Sequence, residues 1–353
     1  MARRVMWVAF GVVLASALAG CIEDPKRDIL DPVSDSADIS AYMYNLLLAV
    51  CSVIMVIVAA WFTYSVVRFR KRPDDDGELP PQIHGHTQLE VAWTIIPTLI
   101  VIAITIPTII NIFELERRPG EGEPVTKIEV IGKQWWWEYN YKDEGFMTAN
   151  EMHVEVGTTV QLEMTAADVI HAFWVPQVTG KRDATPGRVY EMFFNVREPG
   201  EYIGQCAELC GSSHALMGIK LFAHPKEGPN SYAAWVASQK KAAEPPRSPE
   251  AQRGKELFMQ KGCMRCHNIS GDARTELHPK ARRRETGPDL THVGSRTTIA
   301  ALTLKNTREN IARWVHDPQS IKQGALMGDP RFNTVQVSKE EAEAIASYLF
   351  RLK

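Results

Sequence analysis

Two stretches of this sequence carry no charged side chain: Ala41 to Val67 and Val91 to Phe113. At 1.5 Å of rise per residue, either one coiled as a helix crosses a hydrocarbon layer of ~30 Å. A helix satisfies its own backbone polar groups, which is the condition for lying in lipid. The two stretches therefore predict a transmembrane hairpin over 41–116. Arg68-Phe-Arg-Lys-Arg72 follows the first stretch, and that cluster of cations assigns the connecting loop to the cytoplasmic side, with both chain ends outside. Pro97 and Pro107 fall inside the second stretch, where membrane helices tolerate proline as a kink.

The start of the chain agrees with that orientation. Arg3 and Arg4 precede an apolar run from Val5 to Leu14, and Leu18-Ala19-Gly20-Cys21 then reads as a lipoprotein-type cleavage site. Residues 1–20 are an expected export signal, and Cys21 is the expected lipidated residue at the head of an outer segment, 21–40. Among the cysteines that remain, Cys51 lies in the first apolar stretch, where a small hydrophobe is a sufficient explanation. The other four fall in two close pairs.

Past residue 116 the apolar excess ends and charged residues accumulate. The net charge of -2 gives no footing for nucleic acid binding, so none is expected. From Val125 to about Pro225, segments such as Thr126-Lys-Ile-Glu-Val-Ile131 and Thr159-Val-Gln-Leu-Glu-Met164 alternate at period two between Gly or Pro turns, as strands of a sandwich or small barrel do. Ala242-Ala-Glu-Pro-Pro-Arg-Ser-Pro249 reads as a linker. Beyond it the pattern is helical, and Ser338 followed by Glu341 is a capping-box start. The organisation expected is thus 117–228 as a β domain, 229–248 as linker and 249–353 as an all-α domain.

Both cysteine pairs bear chemistry. Cys206-Ala-Glu-Leu-Cys-Gly-Ser-Ser-His-Ala-Leu-Met217 gathers two thiols, an imidazole and a thioether, the donor set that copper prefers. Two bridging thiolates can hold two copper ions close enough to share an electron. Such a pair needs an imidazole from elsewhere, and His171 in Asp168-Val-Ile-His-Ala-Phe-Trp-Val-Pro176 is the obvious donor. A disulfide between Cys206 and Cys210 is a competing reading, but it leaves His214 and Met217 unexplained. Zinc is another, although methionine is a poor zinc ligand. The second pair, Cys263-Met-Arg-Cys-His267, is the C-x-x-C-H of covalent c-type haem attachment, with Cys263 and Cys266 adding to the vinyl groups and His267 ligating iron.

At these residues the chain resembles cytochrome c oxidase subunit II, over about 41 to 236. The motifs carrying the likeness are Leu89-Glu-Val-Ala-Trp-Thr-Ile-Ile-Pro97, Gly132-Lys-Gln-Trp-Trp-Trp-Glu-Tyr139, Asp168 to Pro176, Lys181-Arg-Asp-Ala-Thr-Pro-Gly-Arg188 and the cysteine loop. The resemblance implies a cupredoxin-like all-β barrel on a two-helix transmembrane anchor. It implies copper ligands His171, Cys206, the carbonyl of Glu208, Cys210, His214 and Met217 for the dinuclear centre termed CuA. It also implies Trp135 as the exposed aromatic that admits electrons, the Glu208 side chain as a magnesium ligand, and Glu90 at the cytoplasmic mouth of a proton path.

The last domain resembles the cytochrome c fused to subunit II in some bacterial oxidases, through Gly287-Pro-Asp-Leu-Thr-His-Val-Gly-Ser-Arg296 and Trp314 to Met327. That likeness makes Met327 the distal iron ligand, with His292 and His316 as outside candidates. Lys322-Gln323-Gly324 and Met327-Gly328 stand where such domains usually read Lys-Pro-Gly and Met-Pro. Arg282 to Arg284 form a basic insertion, a solvated loop or a docking patch for an acidic donor.

The function implied is that of an electron conduit in the bacterial inner membrane, multi-pass, with its copper and haem domains on the periplasmic face. A cytochrome c or cytochrome bc complex is the implied donor. Electrons pass through haem c and CuA to oxidase subunit I, where oxygen is reduced and protons are pumped; other oxidase subunits and membrane lipid are further partners. The alternatives are a nitric oxide reductase with the same copper module and a non-catalytic membrane electron carrier.

Overall fold

The computed structural model describes residues 28–73, 77, 81–270, 287–331 and 335–353. The export signal with Cys21 and the arginines 282–284 lie outside the described residues. Helices α1 (Asp35–Arg68) and α2 (Thr87–Leu115) are long and apolar enough to cross a membrane, and no residue of their most apolar windows is buried. The chain is anchored by this pair. Thr94, Thr98, Thr105 and Thr108 turn their hydroxyls onto carbonyls one turn back in α2, so they cost the helix no unpaired polar group.

Helix α1 starts upstream of the uncharged stretch, for a tertiary reason. Ser34 caps it by accepting from Ala37 N at 3.0 Å. Asp35 and Asp38 in its first turn both receive Arg197 Nη1, at 2.8 and 2.6 Å. Val33 N donates to Gln177 O, and Arg197 N donates back to Val33 O. The anchor is therefore stitched to the β domain before it turns toward the membrane.

The β domain is two five-stranded sheets. In chain order its strands are β1 (Val125–Lys133), β2 (Trp136–Tyr141), β3 (Phe146–Ala149), β4 (Glu151–Glu155), β5 (Thr159–Ala166), β6 (His171–Trp174), β7 (Arg182–Ala184), β8 (Tyr190–Phe194), β9 (Gly200–Cys206) and β10 (Gly218–His224). One sheet runs β3-β2-β1-β5-β8 and the other β4-β10-β9-β6-β7. The period-two pattern is explained by these layers: Val160, Leu162 and Met164 of β5 face inward, as do Ile219 and Leu221 of β10. At the centre Trp137 meets Phe173 edge-on, with ring centroids 5.6 Å apart.

Beside it lies a buried ion pair, Lys133 Nζ to Glu138 Oε2 at 2.7 Å. Replacing one partner strands the other charge, so Lys133→Met is expected to cost about 3–5 kcal/mol. A shift of the barrel's urea midpoint would measure it, and a midpoint equal to that of the native chain would contradict it.

The segment 229–248 is not all linker. It contains α3 (Tyr232–Gln239), whose Tyr232 and Val236 enter the barrel core and whose Trp235 stacks on His153 with centroids 4.1 Å apart.

The C-terminal domain is built on α4 (Pro249–Gln260), α5 (Arg308–His316), α6 (Pro318–Ile321) and α7 (Lys339–Leu349). Ser248 caps α4 and the capping box of Ser338 and Glu341 opens α7. These two helices cross at Gly254, where a Cβ would lie 1.9 Å from Ala344 O, so only glycine permits the approach. Phe258, Ile311, Val315, Ile345 and Tyr348 fill the core. The all-α expectation is modified by one short ladder, β11 (Thr298–Ile299) with β12 (Leu304–Lys305).

Candidate metal centres

The end of β9, the start of β6 and the loop before β10 converge on one buried point. Phe173 pairs with Cys206, and Ala207 N donates to Ala172 O, which brings the loop alongside His171. The ligand atoms of His171, Cys206 and Cys210 lie within 4.8 Å of one another. Cys206 Sγ is 3.7 Å from Cys210 Sγ, 3.9 Å from His171 Nδ1 and 3.3 Å from Glu208 O. Cys210 Sγ is 3.5 Å from His214 Nδ1 and 3.9 Å from Met217 Sδ. All six predicted donors thus gather around the two sulfurs. Both thiols are free, and their separation is nearly twice a disulfide bond. The set fits two soft metal ions with the sulfurs between them.

The protonation pattern fits as well. Hydrogen bonding from Cys210, with a further contribution from His171, drives the Cys206 thiol down to about 3, while the shared proton and burial push Cys210 up. Metal binding would displace the remaining proton, as ligation by two thiolates requires.

Asp168, three residues before His171, orients the imidazole. Its Oδ1 faces His171 Nε2 at 2.9 Å and accepts Val169 N, and its Oδ2 accepts Gln134 N at 2.8 Å. Burial raises the Asp168 carboxyl, but His171 and the two amides hold it below its usual range. Burial likewise lowers His171, and Asp168 with Cys206 raises it on balance. Nδ1 is left to face the sulfurs. Gly132 lies flat against this ring, where a Cβ would be 2.8 Å from His171 Cδ2. Asp168→Asn turns one acceptor into a donor beside an N–H, so copper affinity is expected to fall about 10–100-fold with the spectrum retained. A chelator competition titration would show it, and unchanged affinity would deny Asp168 this role.

The haem-attachment motif follows α4. Gly262 ends the helix in the left-handed conformation, φ 71, and the turn Cys263–Arg265 then presents both thiols. His267 Nδ1 donates to Pro288 O at 2.8 Å, leaving Nε2 for iron. Burial keeps this imidazole below its usual range and therefore neutral. Gly287 admits the ring, since a Cβ there would lie 2.4 Å from His267 Cε1. Met327, in the turn Leu326–Gly328, packs on the same core as Cys263 and Met264. These features fit a covalent haem held by His267 and Met327.

Three other sequence candidates have structural partners. His292 Nε2 faces the carbonyls of Gln239 and Lys241, tying the linker to the C-terminal domain, and His316 Nδ1 faces Val337 O. Glu90 Oε1 accepts His86 N at the start of α2. Around the Glu208 carboxylate no second group of three metal-binding side chains gathers among the described residues, so magnesium has no support.

Trp135 differs from its expected exposure. It is 8% exposed, pressed between Gly211 of the copper loop and Gly324 of the Met327 loop. Its Nε1 donates to Cys210 O at 3.0 Å. The ring fills the space between the copper loop and the Met327 loop. That placement is a contact between domains, which no local motif can announce.

A membrane-anchored cupredoxin-like domain with a soft-donor cluster, joined to a cytochrome c domain, is the class that fold and sites define. Family models agree: "Cytochrome C oxidase subunit II, transmembrane domain" matches residues 30–110, its "periplasmic domain" matches 144–223, and "Cytochrome c" matches 251–353. Cytochrome c oxidase subunit 2 of Alkalihalophilus pseudofirmus is 36% identical over 95% of this chain and 94% of its own length. Quinol oxidase subunit 2 of Bacillus cereus is 30% identical, over 67% of this chain and 79% of its own. A solved periplasmic domain of subunit II from Bradyrhizobium japonicum is 37% identical, covering 33% of this chain and 93% of that one at a TM-score of 0.31. The chain belongs to the cytochrome c oxidase subunit II family and carries an added cytochrome c domain.

Proposed function

We propose that the chain is the electron-accepting subunit of a haem-copper cytochrome c oxidase. It takes electrons from an external donor through haem c to CuA and onward to subunit I, where oxygen is reduced and protons are pumped. Haem c and the copper pair supply one-electron transfer when bound; the chain's residues hold them and set their surroundings. The observation that carries the reading is the clustering of His171, Cys206, Glu208 O, Cys210, His214 and Met217 around two sulfurs, with Trp135 between this cluster and the C-terminal domain.

Cys206 and Cys210 sit in the loop as a preformed bridge, and Asp168 keeps the His171 ring aimed at it. Preformed ligands reorganise little when an electron arrives, which favours fast transfer. Cys263 and Cys266 would tether the haem, and His267 with Met327 would hold its iron. The alignment with the quinol oxidase subunit covers 67% of this chain; an intact cysteine loop together with C-x-x-C-H favours cytochrome c as electron source. The basic loop after α1 supports a cytoplasmic hairpin turn, with copper and haem domains on the outer face of a bacterial inner membrane. The exposed faces of α1 and α2 suit lipid and the catalytic subunit. Glu90, at the cytoplasmic end of α2, is our candidate for the mouth of a proton path.

Metal analysis of the purified full chain, with optical and spin-resonance spectra, tests the reading. Two coppers sharing one unpaired electron beside one covalent haem are expected. A single localised copper, or none, would refute the conduit.

A further inference from the structure

The C-terminal domain meets the copper lid on buried charge. Lys322 is 3% exposed, and its Nζ donates to Trp135 O at 2.5 Å, Leu216 O at 2.8 Å and Ala300 O at 3.1 Å. None of the three partners is a carboxylate. An ammonium has three protons for these three carbonyls, whereas a neutral amine has two and would orphan one acceptor. Burial works against a charge at this position, and the three carbonyls match the three protons of the ammonium. Trp135 and Leu216 belong to the β domain, and Leu216 lies within the copper loop.

Ala300 belongs to a turn with three consecutive left-handed residues, Ala300, Ala301 and Leu302, at φ 52, 55 and 67. Non-glycine residues adopt that conformation only where their surroundings impose it. Here the surroundings are the β domain: Gly218 N donates to Ala301 O at 3.2 Å, and Gly218 has no Cβ to block Leu302.

On the same face the exchange of charge runs the other way. Glu151 of β4 is 2% exposed, and its Oε1 accepts from Thr297 N, Thr297 Oγ1, Thr298 N and Thr298 Oγ1 at 2.7 to 3.0 Å. Lys220 Nζ adds a bond to Thr297 Oγ1 at 2.9 Å, and Ser213 Oγ donates to Gln323 O at 2.7 Å. Each domain thus inserts one charged side chain into a polar cage completed by the other. Removing either leaves several buried groups unpaired, which makes the docked pose strongly preferred over a separated one.

We propose that Lys322 and Glu151 form a two-point lock that fixes the cytochrome c domain on the copper lid, so that transfer between the two centres occurs in one docked geometry without domain motion. Both are positioning residues, and the proposal rests on the conduit reading above. Gln323 replaces the usual proline of this loop without loosening it, because the lock and the bond that Gly324 N donates to Gln319 Oε1 hold the turn.

Amide hydrogen exchange on the full holoprotein tests the lock without relying on activity. Gly218, Thr297 and Thr298 donate across the interface, so peptides containing them should be as protected as the β5 core in the native chain. Lys322→Met and Glu151→Gln should each reduce that protection by about tenfold or more, the loss of at least one charged hydrogen bond. Exchange at exposed-loop rates in the native chain, or unchanged protection in Lys322→Met, would overturn the proposal. Should a variant fail to fold, the native measurement still decides. Flash-induced transfer from haem to copper should also be independent of viscosity in the native chain, and an inverse dependence would likewise overturn the lock. Loss of the copper-pair spectrum would defeat the conduit reading instead, and is recorded separately.

Discussion

Replacing Cys210 with serine is expected to abolish the copper pair while leaving the fold and the haem in place. Cys210 Sγ is the atom that touches Cys206, His214 and Met217, so its loss removes a bridge and unhooks two further donors at once. A serine hydroxyl stays protonated at neutral pH and is a hard donor, where copper selects soft thiolate. The loss should exceed the ~10–100-fold that removal of an orienting hydrogen bond costs. His171, Cys206 and the Glu208 carbonyl remain on the other side, enough to retain at most one copper. The swap is nearly isosteric, so the barrel's melting temperature should change little. Copper per chain and the multiplicity of the spin-resonance signal check this; two coppers retained in Cys210→Ser would remove Cys210 from the ligand set.

Much of the site was legible because its chemistry is local in sequence. The loop from Cys206 to Met217 carries four of the proposed ligand side chains, and C-x-x-C-H carries three proposed haem contacts, so spacing and residue type name the candidates directly. The uncharged stretches announced α1 and α2 for the same reason: one continuous segment meets one condition, that of lipid. Asp168 was only half visible. Its place in the histidine's motif gives it no role by itself, since its grip on Gln134 N depends on where the turn before β2 folds. Lys322 and Glu151 were not visible at all. A lysine or glutamate is ordinarily solvated, and nothing in either one's neighbours reveals that another domain closes over it. The upstream start of α1 escaped for the same cause, since Arg197 reaches it from far along the chain. The β11–β12 ladder is too short for periodicity to register, and it exists to shape the turn that docks on β10.

Trp135→Ala should have the second large effect, and it separates a packing role from a conducting one. The indole fills the gap between Gly211 and Gly324, whose hypothetical Cβ atoms would lie 3.0 and 2.8 Å from its ring. Truncation leaves a cavity lined by glycines that have no side chains to collapse into it, and cavities of that kind cost about 3–5 kcal/mol for a lost tryptophan. The bond from Nε1 to Cys210 O disappears with the ring. Cys210 is in the proposed copper ligand set, so the ring links the Met327 loop to one of those residues. Transfer from haem to copper should slow markedly in Trp135→Ala, while both centres keep their spectra. Trp135→Phe refills most of the cavity but lacks the N–H, so it should recover stability and only part of the rate. Laser-flash kinetics on the loaded full chain, read beside the melting temperature, resolve the two. If Trp135→Ala loses stability yet transfers at the native rate, the ring is packing alone and the electrons take another path across the same locked interface.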